Sequence, residues 1–362
     1  MIEVNKIYNE DCLSTLARMD DNSIDCVVTS PPYYGLRRYS DSELEIGREE
    51  NPSEYIDNLV KVFSEIYRVL KPTGTLWLNL GDSYCGTGDK GDYSDPKDGN
   101  RNGQSVSITR KIEGLKRKDL IGIPWLAAFA LRERCGFYLR QDIIWNKGNA
   151  IPEPVKDRCV KSHEYIFLLS KSEKYYFNYE AIQEPAVTFE NRPIGIVRQR
   201  ELQYGTKQSR NPDEYKITTS IKFGGKKYGD NDDPHYTTKS GKEWKPQIQK
   251  WSEGSGQREN PGGGYGNYCV VKNKRDVWTV NTQPSDIEHC AMFPEKLIYP
   301  CILAGCPEGG IVYDCFGGSG TTALTTIHCG GNRHWILSEL SPKYAEIAQK
   351  RIDIETSQLT LF

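Results

Sequence analysis

"DCFGGSGTT", residues 314–322, decides how the chain folds. It grows out of "GGIVYDC" (309–315), a short apolar run rich in β-branched residues, and leads into "ALTTIHCG" (323–330), a helical stretch. A second apolar run, "RHWILSEL" (333–340), comes next and carries Glu339 near its end, 19 residues after Gly320. Strand, glycine turn, helix, strand is a βαβ unit. Its glycines let the backbone turn tightly and approach a ligand closely, and an acidic residue at that distance is placed for ribose hydroxyls. A glycine turn alone serves any tight strand–helix connection. The combination points to an adenosine-containing cofactor. No lysine follows the glycines, so this is not a phosphate-cradling P-loop, and the spacing departs from the G-x-G-x-x-G of dinucleotide sites.

Working outward, the same α/β rhythm fills the first half of the chain. "SIDCVVT" (23–29) reads as a strand buried on both faces. "NPSEYIDNLVKVFSEIYRVLKP" (51–72) reads as a helix: Asn51 caps, Pro52 suits the first turn, Glu54 completes a capping box, and Tyr55, Leu59, Val62, Phe63, Ile66 and Leu70 form one stripe before Lys71-Pro72 stops it. "TLWLNL" (75–80) is the next strand, and 86–108 a long Gly/Asp/Ser/Asn-rich loop. A second helix runs from Ile123-Pro124 to Gly136, followed by strands "YLRQDIIW" (138–145) and "EYIFLLS" (164–170). Strands alternating with helices imply a mostly parallel sheet covered on both sides.

Between 183 and 274 that rhythm is lost to Gly, Tyr, Lys, Asn and Gln, as in "FGGKKYGDNDD" and "PGGGYGNY". The chain therefore divides into 1–182, an irregular module at 183–274, and 275–362. Net charge is only −2, but residues 191–280 hold 17 Lys/Arg against 10 Asp/Glu, while the remainder holds 30 against 39. A basic segment in an acidic protein is either a solvated insertion or a surface that meets polyanions. No apolar stretch approaches the roughly 20 residues of a membrane span, and the N-terminus lacks a signal-peptide pattern. Eleven scattered cysteines without a CxxC pair read as reduced thiols of a cytoplasmic protein, and no spacing suits a metal.

The first strand runs out into "TSPPYY" (29–34). Pro31 and Pro32 fix two φ angles and remove two donors, leaving a row of rigid carbonyl acceptors at the carboxyl end of a strand, where open α/β sheets bind ligands. Tyr33 and Tyr34 add aromatic faces, so that an amino group could donate to the acceptors while its ring stacks. An ordinary Pro-Pro turn is the blander reading of the same residues.

"TSPPY" early, "DCFGGSGTT" late and a variable module between them resemble the β-class amino-methylating DNA methyltransferases. "YNEDCL" (8–13), residues 54–82, "IIWNKGNAIPEP" (143–154), "HEYIFLLSK" (163–171) and "HCAMFPEKL" (289–297) fall in the family's order. The resemblance implies a Rossmann-like S-adenosylmethionine-dependent methyltransferase fold, permuted in sequence, with 183–274 as target-recognition module. It implies Ser30, Pro31, Pro32 and Tyr33 as the catalytic tetrad, with Ser30 and a proline carbonyl accepting from the target amine and the tyrosine stacking on an extruded base. For the cofactor it implies Asp314, Phe316, Gly318, Ser319, Gly320 and Thr321 in the loop, with Thr29 beside them. Glu339 falls to the ribose, Asp11 near the adenine, and Phe293 and Pro294 along the methionine part. Cys315 replaces the family's usual proline, and Ser338 the glycine common before the glutamate; neither removes a required group. The implied partner is double-stranded DNA of a bacterium or phage, and a homodimer and a cognate restriction endonuclease are further partners the family allows.

In that family Ser before Pro-Pro accompanies cytosine N4 and Asp or Asn accompanies adenine N6, so Ser30 favours cytosine, with adenine the alternative. A cytosine-C5 enzyme needs a nucleophilic cysteine, and the one Pro-Cys pair, Pro300-Cys301, sits in an apolar run and reads as core. A nucleic-acid-binding protein on an inactive scaffold is the rival from another class; the intact tetrad and Glu339 speak against it. His163 and His289 read as structural, and "TRKIEGLKRKD" (109–119) as either a solvated face or a phosphate-contacting strip.

Overall fold

Val27 and Val28 are neighbours on one strand, yet they pack into different cores. That alternation is the period-2 geometry of a strand covered on both faces. The computed structural model describes residues 2–35, 42–86, 112–150, 152–185, 236–237, 243–244, 271–282 and 292–359. The expectations for His289, for the loop after residue 86 and for most of 183–274 lie outside them.

The strands are β1 (Lys6–Tyr8), β2 (Ile24–Thr29), β3 (Leu70–Leu80), β4 (Tyr138–Asn146), β5 (His163–Ser170), β6 (Glu184–Pro185), β7 (Tyr236–Thr237), β8 (Glu243–Trp244), β9 (Val271–Lys272), β10 (Val277–Thr279), β11 (Ile311–Asp314) and β12 (His334–Ser338). The helices are α1 (Cys12–Leu16), α2 (Pro52–Val69), α3 (Ile123–Ala130), α4 (Glu295–Gly305), α5 (Thr321–Cys329) and α6 (Pro342–Leu359). Eight strands form one sheet in the order β1-β12-β11-β2-β3-β5-β4-β10. Only β5 runs antiparallel to its neighbours, β3 and β4. Residues of α1, α2 and α3 join Val27, Leu76, Leu78, Phe167, Tyr313 and Ile336 in one core, and residues of α4 join Cys26, Val28, Trp77, Ile143 and Val312 in the core on the other face.

α2 forms as its local chemistry dictates. The Asn51 side chain accepts from the Glu54 amide at 2.9 Å, and Pro52 occupies the first turn. Tyr55, Leu59, Val62, Phe63 and Ile66 are all fully buried, each contributing roughly 1.5–3 kcal/mol of apolar transfer. The helix ends at Val69, however, and not at Lys71-Pro72. Leu70 is already extended (φ −64°, ψ 136°), so β3 begins five residues before the expected "TLWLNL". The residue before a proline avoids the helical region, so Lys71 is driven into strand geometry. The pairing of β2 with β3 shifts register between Ile24 and Cys26 beside this stretch. β4 and β5, the expected consecutive strands, have no helix between them among the described residues and pair antiparallel. β1, α1, β10, α4 and α6 are additions to the expected elements.

Two compact units result: residues Met1–Ile182 with Lys274–Phe362, and Gln183–Asn273. The second contains two short antiparallel pairs among its described residues, β6 with β9 and β7 with β8.

Candidate active site

β2 and β11 are adjacent and parallel, so their carboxyl ends open at the same edge of the sheet. The tetrad follows one and the glycine turn follows the other. Thr29 Oγ1 donates to Asp314 Oδ1 at 2.6 Å, across 285 residues of sequence. Asp314 also accepts from Thr322 Oγ1 at 2.6 Å and from the Phe316 amide at 3.0 Å. Burial pushes its carboxyl above the usual range against the pull of these bonds. Asp314 thus shapes the glycine turn by tying it to β2 and to the first turn of α5.

In front of this tie lies a cleft of about 1000 Å³ of empty space, part of it open to solvent. Asp11, Ser30, Pro31, Pro32, Tyr33, Phe293, Asp314, Phe316, Gly318, Ser319, Thr321 and Glu339 all border it. Three other residues of the expected site stand behind its wall. Thr29 is fully buried, Pro294 is the buried cap residue of α4, and Gly320 opens α5. Gly320 has φ +84°, and a Cβ there would lie 3.0 Å from that of Ala348, so both conformation and packing require glycine.

Glu339 holds the far side. Its Oε2 accepts from the Gly318 amide and its Oε1 from the Ser341 amide, each at 2.8 Å. Burial pushes its carboxyl up to about 7, although both amide bonds pull downward. Asp11 caps α1 by accepting from the Leu13 amide at 3.0 Å while bordering the cleft. Arg351, from α6, donates to the Ser319 carbonyl at 2.6 Å and to its hydroxyl at 3.0 Å, securing the end of the glycine turn.

The tetrad differs from a simple row of acceptors. Tyr55 Oη donates to the Pro32 carbonyl at 2.9 Å, so that oxygen is engaged by the core side. Among the described residues none donates to the Pro31 carbonyl, and Pro31 borders the cleft beside Ser30, whose hydroxyl lies 3.5 Å from Tyr33 Oη. Tyr34 does not supply the expected second aromatic face: it is 1% exposed, packs against Tyr55, and donates to the Glu50 carbonyl. Successive side chains leaving a strand diverge, so only Tyr33 faces the cleft. Tyr33 Oη donates to Glu164 Oε2 at 2.7 Å and lies 3.1 Å from Asn79 Oδ1.

Leu44, Glu45 and Ile46 also border the cleft and had no place in the expected site, nor had Ser341 and Tyr344. The readable signal for the first group is Gly47, with φ +104°, whose absent Cβ would sit 3.2 Å from the carbonyls of Pro32 and Tyr33. Cys301 is fully buried within α4, and desolvation raises its thiol far above the reactive range, as a core cysteine requires.

A family model described as DNA methylase, covering N6 and N4 enzymes, matches residues 24–350. The chain belongs to this family. It is 36% identical over 353 residues to the Type II methyltransferase M.Cfr9I of Citrobacter freundii, covering 98% of this chain and 89% of that protein. It is 37% identical over 348 residues to M.SmaI of Serratia marcescens, covering 96% and 90%. Among solved structures, the PvuII DNA methyltransferase (cytosine-N4-specific) shares the fold with a TM-score of 0.54 at 17% identity, covering 96% of this chain and 86% of that one. The chain is thus a DNA methyltransferase of the N6/N4 amino-directed class. No helix among the described residues of this methylase is long and apolar enough to cross a membrane.

Proposed function

We propose that this methylase transfers a methyl group to the exocyclic amine of a base extruded from duplex DNA at a specific site, with cytosine N4 as the target. The observation that carries the reading is the meeting of Ser30 and the Pro31 carbonyl with Glu339 around one cleft.

The methyl donor is S-adenosylmethionine, and the cleft suits it. Glu339 is a buried carboxylate whose two backbone partners leave further lone pairs for vicinal hydroxyls, and the Gly318 turn leaves room for close approach. Asp11, Phe316, Ser319, Thr321 and Phe293 complete the set that would hold it. When bound, the cofactor supplies an electrophilic methyl on a sulfonium.

Everything else falls to the chain. The lone pair of an exocyclic amine is delocalised into its ring, so the amine is a poor nucleophile. Preorganised acceptors at Ser30 Oγ and the Pro31 carbonyl favour the pyramidal nitrogen with its lone pair directed at the methyl, and rigid prolines keep them placed without reorganisation. Holding the amine in line supplies much of the remaining acceleration. Extruding the base costs a few kcal/mol, which stacking on Tyr33 offsets. Serine rather than a carboxylate at position 30 supports cytosine. The basic segment at 183–274 serves as the target-recognition module, and the Type II designation of the relatives supports a cognate restriction endonuclease as partner.

Nucleosides from DNA methylated by the purified protein decide the target. Mass spectrometry should find N4-methylcytosine. N6-methyladenine alone would overturn the cytosine assignment and keep the mechanism, whereas 5-methylcytosine would overturn both.

A further inference from the structure

Glu164 has no role in the reading above, yet it is built into the catalytic wall. Its side chain is 13% exposed and pairs through Oε1 with Lys147 Nζ, itself 23% exposed and 4.5 Å above the Trp145 ring. The other oxygen accepts from Tyr33 Oη at 2.7 Å and from Asn79 Nδ2 at 3.4 Å. Asn79 is oriented in turn by donating to the Tyr165 carbonyl at 3.0 Å. Three strands contribute: β3 brings Asn79, β4 Trp145, and β5 Glu164. A second observation is Gly81, the residue that follows β3. A Cβ there would lie 2.7 Å from Tyr33 Cε2 and 3.4 Å from Glu164 Cδ. The backbone has been thinned to seat the ring and the carboxylate together.

A phenol bonded only to water turns and tilts freely. One bonded to a paired, half-desolvated carboxylate is held by a charge-assisted hydrogen bond, the stronger kind. We propose that Glu164 is a positioning residue, which with Lys147 behind it fixes the Tyr33 ring in the orientation that receives the extruded base. This rests on the assignment of the tetrad to the target base. Glu164 does not touch the reacting atoms. It acts through the phenol.

The test uses the full-length protein, single-turnover methyl transfer with saturating DNA and S-adenosylmethionine, and cofactor affinity by calorimetry. Glu164→Ala should slow transfer about ten- to a hundredfold, the range of one charge-assisted hydrogen bond, with cofactor affinity unchanged. Tyr33→Phe, which removes only the hydroxyl and so guards against a folding defect, should reproduce that loss. The double variant should be no slower than the slower single one, since both remove the same contact. Glu164→Gln, which keeps an acceptor oxygen, should recover most of the rate, and Gly81→Ala should slow transfer by displacing the ring. Wild-type turnover in Tyr33→Phe, additive losses in the double variant, or Glu164→Gln as slow as Glu164→Ala would each overturn the proposal. Ser30→Ala separates the two levels. If it slows transfer while Tyr33→Phe does not, only the role of Glu164 fails; if neither slows it, the tetrad assignment fails as well.

Discussion

At the scale of single residues, the carboxylate proposed to hold the cofactor ribose sits at an unusual working point. Burial raises Glu339 from its ordinary 4.5 to about 7, so a large fraction is protonated near neutrality in the cofactor-free protein. A carboxylate that accepts from ribose hydroxyls must be ionised to do so at full strength. S-adenosylmethionine affinity should therefore rise with pH up to about 7 and level off above it, by at most about tenfold per pH unit on the acid side. Calorimetric titrations between pH 5.5 and 8.5 would show this, and Glu339→Gln should flatten the profile while weakening binding. The stability effect has the opposite slope. A carboxyl whose folded pKa is raised contributes stability that is fully present below 4.5 and is lost as pH rises through about 7. Without cofactor, the melting temperature of the wild type relative to Glu339→Gln should fall across that window. A difference that stays constant would place the carboxylate in solvent.

At the scale of elements, what was legible depended on how local the cause was. Asn51, Pro52 and Glu54 specify the start of α2 within four residues, and the glycine turn specifies the start of α5 in the same way. The end of α2 differs from the expected stop at Lys71-Pro72 because Pro72 acts one residue upstream, on Lys71, and so admits strand as readily as loop. The antiparallel placement of β5 was hidden because an apolar run carries no direction. Within the site, Ser30, Tyr33 and Glu339 stand in chain-local motifs, whereas Tyr55 with Pro32, Glu164 with Tyr33 and Arg351 with Ser319 join residues 23, 131 and 32 apart. Such pairs exist only after folding. The link between α2 and the tetrad is open to test. Tyr55→Phe deletes the hydroxyl that holds the Pro32 carbonyl and should cost about 1 kcal/mol of stability, a typical single hydrogen bond. Because Pro31 loses its braced neighbour, methyl transfer should slow as well. Denaturant unfolding with single-turnover kinetics would measure both, and unchanged values would make the Tyr55 contact incidental.

At the scale of the whole molecule, the sequence permutation has a structural consequence. The tetrad after β2 and the glycine turn after β11 belong to one compact unit, although most of the chain lies between them. β10 returns the chain to that unit by pairing with β4, at Val277↔Ile144 through Thr279↔Asn146. The other unit begins and ends on a paired strand of its own, with Pro185 opposite Val271 and Glu184 opposite Lys272. Its entry and exit are therefore neighbours, and a hairpin turn of a few residues can join them without stretching either flank. Replacing 186–270 by such a turn should leave a protein that folds and binds S-adenosylmethionine with wild-type affinity. The same excision removes most of the 17 Lys/Arg of residues 191–280. Since each lost phosphate contact lowers the slope of log affinity against log salt by about 0.9, DNA binding should become weaker and flatter in its salt dependence. Site-specific methylation should disappear. Binding across a salt series and methylation mapping on random-sequence DNA would read both outcomes. Retained methylation at one site would move target recognition out of the module and into the catalytic unit.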